Sequence, residues 1–203
     1  MTIADFRCYV SDLRWQKYYT QLEHILDLKP RKILEVGVGH KVLYVVLKSQ
    51  GFEVTGFDNA PELKPDVIGD VRQLNEHFVP RSFDMVCCFQ ILEHLPYEDF
   101  GNCLRQISEV TEKYALISLP YAGITMRLHF AVARRGTREA RIGGRIPFFW
   151  RKYVPKGHHK WEAGWREYPL SRIEDELKNH FSIQRRLFVK PNDQHVQYVL
   201  ERK

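Results

Sequence analysis

Between Asp12 and Leu28 the chain places Leu13, Tyr18, Leu22, Ile25 and Leu26 near helical spacing, and Lys29-Pro30 ends the pattern. From Pro30 onward short apolar runs alternate with amphipathic ones. RKILEVG, EVTGFD, RSFDMVCCFQ and YALISLP read as strands. VLYVVLKSQG, DVRQLNEHF and YEDFGNCLRQISEVTEKY read as helices, with PDVIGD a short piece among them. Strands separated by helical stretches need crossover connections, so the pattern predicts a doubly wound α/β fold with a mostly parallel sheet covered on both faces. The unbroken apolar runs ILEV and MVCCF suit strands buried on both sides.

After Pro120 the alternation stops. Residues 121–168 are rich in Arg, Gly and aromatics and too long for an ordinary connection, which predicts a lid or binding segment without regular structure. SRIEDELKNHF then reads as a helix with Ser171 as its N-cap, and SIQRRLFVK and HVQYVLERK flank PNDQ as a closing antiparallel hairpin.

Composition narrows the class. A chain of 203 residues suits one domain, 1–203, with 121–168 as a segment within it. With 44% hydrophobic and 28% charged residues it is neither disordered nor fibrous. No apolar run approaches the roughly 20 residues of a membrane span, and the polar N-terminus lacks the regions of a signal peptide, so a cytoplasmic location is expected. The four cysteines show no C-x-x-C spacing, and Cys87-Cys88 lies in a strand run; free thiols are expected, with no zinc site.

The net charge of +6 is local. Ten of the 31 Lys and Arg, but only one of the 25 acids, fall between Arg127 and Lys160, leaving 21 bases against 24 acids elsewhere. Phe148, Phe149, Trp150, Tyr153, Trp161 and Trp165 interleave with these cations. That mixture matches an anionic or lipid- or sugar-linked acceptor, a peripheral membrane surface, or single-stranded nucleic acid.

In an open parallel sheet a ligand sits beyond the carboxyl ends of the strands. After the first strand comes Glu35-Val36-Gly37-Val38-Gly39, whose glycines permit a tight turn and close backbone approach ahead of a helix N-terminus. After the second comes Asp58, 21 residues past Gly37, the spacing at which an acid meets ribose hydroxyls. Asp70-Val71 offers a carboxylate beside an apolar residue, suited to an adenine, and the fourth strand end supplies Gln90, Glu93 and His94.

These four stretches together resemble the class I S-adenosylmethionine-dependent methyltransferases, in particular the small single-domain group with an LEHL motif after the fourth strand. ILEVGVG looks like that family's first motif, GFD its second-strand acid, GDV its adenine-contacting acid and FDMVCCFQILEHLP its fourth-strand motif. The resemblance implies a Rossmann-like sheet of seven strands with the last inserted antiparallel. It implies S-adenosylmethionine as cofactor, with Glu35, Gly37 and Gly39 on its methionine part, Asp58 on the ribose, Asp70 and Val71 on the adenine, Gln90 against its centre, and Asn59 also cofactor-binding. Glu93 and His94 would border the transfer pocket, His94 as general base. His158, His159 and Trp161 of the basic segment would face a small-molecule acceptor.

Competing readings use the same residues. A dinucleotide loop would need glycine at position 42, which is Val42. Gln90, Glu93 and His94 are similar to an E-x-x-E-H magnesium motif of some of these enzymes, yet Gln90 removes one anionic ligand, so no metal is expected. Asp70 could equally cap DVRQLNEHF. A nucleic-acid methyltransferase and a non-catalytic partner retaining the fold stay open. His40 and Lys41, at a helix start, are expected to oppose its dipole by a few tenths of a kcal/mol each (about 0.3 or more).

Overall fold

A computed structural model of the chain describes residues 10–133, 137–155, 157–188 and 194–203. Helix α1 (Asp12–Leu28) begins at Ser11, whose hydroxyl accepts the Arg14 N–H, and stops at Lys29, in left-handed conformation ahead of Pro30. Strand β1 (Lys32–Val36) lies between β2 (Glu53–Asp58) and β4 (Phe83–Phe89), parallel to both. Short β3 (Val67–Ile68) flanks β2, and β5 (Thr111–Pro120) flanks β4. Strand β9 (His195–Arg202) inserts antiparallel between β5 and β8 (Phe181–Phe188), giving the order β3-β2-β1-β4-β5-β9-β8.

Side-chain alternation along the central strands divides the interior into two layers. Ile33 and Met85 face Ile25 of α1 and Leu43 and Leu47 of α2 (Val42–Ser49). Leu34 and Val86 face the opposite layer, with α4 (Phe100–Val110) and α5 (Leu170–His180) contributing Leu104, Ile107, Ile173 and Leu177. All of these are at most 2% exposed, and each contributes about 1.5–3 kcal/mol relative to a solvated position. Asp84 accepts the amides of Arg31 and Lys32, both at 2.8 Å, and so locks β1 against the start of β4. The parallel strands, the crossovers and the antiparallel hairpin agree with the expected fold. Cys87, Cys88 and Cys103 are buried free thiols, while Cys8 lies outside the described residues.

Three local expectations are corrected. The helix expected to run through TEKY ends at Val110: Thr111 donates its hydroxyl to the Ile107 carbonyl, then pairs with Phe83 as the first residue of β5. Helix α5 starts two residues earlier than expected, with Pro169 at the N-cap and Ser171 inside the first turn, where no side chain caps it. The segment 121–168 contains regular structure, because Ile124–Ala133 (β6) and Thr137–Ile146 (β7) pair antiparallel over ten rungs as a sheet of their own. Residues 191–193 of the PNDQ turn lie outside the described residues. DVRQLNEHF forms a 3-10 turn, Val71–Gln73, followed by the single-turn helix α3 (Leu74–His77).

Candidate active site

Two adjoining cavities open at the carboxyl ends of β1, β2 and β4. The smaller, about 180 Å³, is bounded by Phe57, Asn59, Asp70 and Val71; the larger, about 420 Å³, by Arg14, Lys17, Glu35, Gly39, Gln90 and His159. Gly37, Asp58, Ile91 and His94 border both. The strand-end residues singled out by spacing are thus gathered along one trough, except Glu93, which is buried and lines neither cavity, contrary to expectation.

The turn after β1 explains its glycines. Gly37 has φ +82° and donates its N–H to the Phe57 carbonyl at 2.8 Å, and a Cβ there would overlap the Ile91 side chain. Gly39, at φ +45°, has nothing within 4 Å of an added Cβ, so backbone is left open to the cavity just before α2. Lys41, the N-cap of α2, also adopts a left-handed φ of +59°. Its ammonium is bonded to the Lys64 carbonyl and lies over the Tyr44 ring face, contacts that offset a cation at a helix start.

Glu35 stands directly below this turn. It is 5% exposed, its Oε2 has no partner, and burial, reinforced by nearby Asp58, raises its pKa to about 8. A cationic ammonium is the group this carboxylate lacks, which fits the amino end of the methionine part of the cofactor. Asp58 accepts the Ala60 amide through Oδ1 at 3.0 Å in a local turn, and its Oδ2 has no protein partner among the described residues. One carboxylate oxygen is therefore available to a diol, with Asn59 beside it on the wall.

Asp70 serves two purposes. Its Oδ1 accepts the Arg72 amide and caps the 3-10 turn, while the Arg72 guanidinium binds both its oxygens and reaches Asp99. The bonds from Arg72 hold the Asp70 carboxyl below its ordinary pKa. The carboxylate still borders the smaller cavity, where Val71, Phe57 and Ile91 form an apolar slot suited to a flat base. Gln90 occupies the end of β4 at φ +59° and donates its N–H to the Ser118 carbonyl. Such a conformation costs a non-glycine residue about 1–2 kcal/mol and is maintained here at the wall of the cavity.

Beyond Gln90 the 3-10 turn Leu92–His94 turns Glu93 inward and His94 toward both cavities. Glu93 is fully buried, neither oxygen has a partner, and burial raises its pKa to about 8, so it is protonated at neutral pH. His94 places Nδ1 3.3 Å from the His158 carbonyl, and burial lowers its pKa. A neutral ring whose Nδ1–H faces a carbonyl carries its lone pair on Nε2. The His159 ring centre lies 5.1 Å from that of His94, and its Nδ1 is 2.7 Å from Glu162. Glu93, His94 and His159 each present a ligand-type atom within 4.8 Å of the others.

The acceptor residues expected from the basic segment divide. His159 borders the larger cavity, whereas His158 is exposed and contributes its backbone carbonyl, not its ring. Trp161 is fully buried and packs in the core, 5.0 Å from Tyr97 and 5.1 Å from Phe100 between ring centres. Sequence reasoning missed Lys17 and His195. Lys17 Nζ lies 3.1 Å from His195 Nε2; burial holds the lysine down at about 8 and the imidazole at about 3. The two are 178 positions apart, and nothing in either local pattern announces the contact.

The chain is similar in sequence and in fold to known methyltransferases. The ubiquinone biosynthesis O-methyltransferase of Pseudomonas aeruginosa (strain LESB58) is 33% identical over 110 residues, covering 41% of this chain and 47% of the relative. The chain thus matches about half the length of such curated relatives or less. Among solved structures, a S-adenosylmethionine-dependent methyltransferase from Clostridium acetobutylicum superposes with TM-score 0.60 at 11% identity, covering 97% of this chain and 94% of that one. The 1,6-didemethyltoxoflavin-N1-methyltransferase of Burkholderia thailandensis superposes with TM-score 0.61 at 15% identity, covering 98% and 83%. These likenesses concern the fold, but residues 10–185 match the family described as "Methyltransferase domain", so the chain belongs to that family.

Proposed function

We propose that the chain transfers a methyl group to an oxygen or nitrogen atom of an anionic small molecule, with His94 accepting the proton that the acceptor loses. The observation that carries this reading is the position of His94, a neutral imidazole at the junction of the two cavities with Nδ1 facing a carbonyl. The cofactor, when bound, supplies a methyl carbon on a positively charged sulfur. Glu35 receives its ammonium, Asp58 and Asn59 its ribose, Asp70 and Val71 its adenine, while Gly37, Gly39 and Gln90 shape the backbone around it. Arg14 and Lys17 of α1 make the larger cavity cationic. Alignment of nucleophile and methyl in a water-poor cleft can supply roughly 7–11 kcal/mol of the barrier reduction.

Residues 121–168 act in this reading as the acceptor segment of a single domain, 1–203. Ile124, Met126 and Leu128 occupy alternate positions of β6 and are 49%, 66% and 61% exposed. An apolar stripe within the most basic part of the chain suits the anionic surface of a membrane, which would put lipid-linked acceptors within reach of a cytoplasmic enzyme. No helix among the described residues is long and apolar enough to cross a membrane.

The test is calorimetry with S-adenosylmethionine, joined to a mass-spectrometric search for methylated products in cell extract. Asp58→Ala is expected to weaken cofactor binding about tenfold or more, the equivalent of about 1.4 kcal/mol, and to abolish the products. Unchanged affinity would refute the cofactor placement. Methylated oligonucleotides would transfer the reading to a nucleic-acid enzyme, and binding without turnover to a non-catalytic partner.

A further inference from the structure

A further cavity of about 320 Å³ adjoins the cofactor trough at His159, at the end of β5 and the root of the β6–β7 hairpin. Three rings form its walls. Tyr121, 7% exposed, is held by its N–H to the Gln194 carbonyl, and Phe148 and Trp165 pack at 4.8 Å between ring centres. Arg145 completes the wall, its guanidinium 5.8 Å from the centre of the Tyr121 ring and bonded to the Thr125 hydroxyl. His159 is common to this cavity and to the cofactor trough.

The partition between the two spaces is unusual in composition. Beside His159 it consists of the Lys17–His195 pair, Lys17 lining the cofactor side and His195 the aromatic side. An ammonium donates only, so His195 Nε2 accepts and its proton sits on Nδ1. That Nδ1 is buried and has no partner. The cavity therefore combines flat apolar walls, a guanidinium that stays charged at any working pH, and a neutral imidazole with an unused donor. Glu162, the acid in its wall, is already engaged by His159.

We infer that this cavity is the acceptor site and that it takes a planar aromatic anion, its ring among Tyr121, Phe148 and Trp165, its anionic group on Arg145, and its reacting atom directed past His159 to the cofactor. Three aromatic walls favour a fourth ring at centroid distances of about 4.5–7 Å, and a planar carboxylate or phenolate matches the guanidinium fork. The volume falls within the range of small-molecule sites, about 300–1,000 Å³. The inference deepens the proposed methyl transfer and rests on it for the direction in which the reacting atom points.

The test is isothermal calorimetry of the full chain with 4-hydroxybenzoate and with cyclohexanecarboxylate, an anion of similar size without an aromatic ring, each with and without S-adenosylhomocysteine. Binding of 4-hydroxybenzoate at least about tenfold tighter than cyclohexanecarboxylate is expected, falling about tenfold or more in Arg145→Gln and in Phe148→Ala. Both variants should retain S-adenosylhomocysteine affinity, which shows that they fold. Equal affinity for the two acids, absence of 4-hydroxybenzoate binding, or indifference to Arg145→Gln would overturn the assignment. Loss of S-adenosylhomocysteine binding by the unaltered chain, with aromatic binding intact, would refute the methyl-transfer reading and leave the cavity's chemistry standing.

Discussion

A methyl group placed on Gly37 would lie 2.0 Å from Cδ1 of Ile91, so the turn after β1 and the first residue pair after β4 interlock across the cofactor trough. The overlap adds to a φ of +82° that already excludes a side chain without strain. Gly37→Ala is expected to destabilise the chain by about 1–3 kcal/mol and to abolish S-adenosylhomocysteine binding. Gly39→Ala, with open space around the new methyl, should cost at most about 1–2 kcal/mol in stability. Thermal melts and calorimetry on both variants check the contrast; equal effects would show that packing against Ile91 is unimportant.

Glu35 is protonated in the free protein at pH 7, because its pKa lies at about 8. An ammonium bound beside it favours the charged form, so cofactor binding at pH 7 should release close to one proton (about 0.9). Calorimetry in buffers of different ionisation enthalpy measures this directly, and Glu35→Gln should remove it.

The same groups predict a pH dependence of stability. Glu35 and Glu93 both have raised folded-state pKa values, so the native chain binds more protons than the unfolded one between pH values of about 4.5 and 8. Their favourable contribution is complete below the unfolded pKa and is lost as pH rises through about 8. Melting temperature of the free protein should fall across that window, and Glu93→Gln should flatten the decline. A rising or flat profile in the unaltered chain would contradict the burial of these carboxyls.

His94 as proton acceptor must be neutral to act. Its pKa lies below the ordinary 6.5, so the rate should decline only on the acid side of that value and stay level above it. His94→Gln is expected to lower kcat by about 10²–10⁴-fold while cofactor affinity stays within about fivefold. Retained kcat would reduce His94 to a wall residue.

Glu93, His94 and His159 lie close enough to suggest a cation, the partner that a buried carboxyl without a hydrogen bond lacks. The neutral amide at Gln90, which removes one anionic ligand, argues for a metal-free centre. Dialysis against EDTA should leave turnover unchanged. Activity lost on chelation and restored by Mn²⁺ or Zn²⁺ would make the cluster a metal site.

The exposed stripe on β6 predicts co-sedimentation with vesicles containing phosphatidylglycerol but not with pure phosphatidylcholine, reversed by high salt and by Met126→Glu. Equal binding to both vesicle types, or a stronger salt-dependent affinity for single-stranded oligonucleotides, would reject the membrane reading.

The chain by itself determined the alternation of strands and helices, the glycine turn and the ordered acids Glu35, Asp58 and Asp70, because each of these is a local pattern. Periodicity reports which face of an element is buried, and a turn requiring positive φ leaves glycine in place, as at Gly37. Tertiary structure decided what those patterns could not encode. The end of α4 at Val110 was settled by the pairing of Thr111 with Phe83, and the ring of Trp161 was claimed by Tyr97 and Phe100 instead of the acceptor. The contact of Lys17 with His195 joins opposite ends of the chain, and the aromatic cavity beside it draws on residues from 120 to 195. Such contacts follow from how the layers pack and where the sheet closes, and long-range packing leaves no mark in the spacing of neighbouring residues.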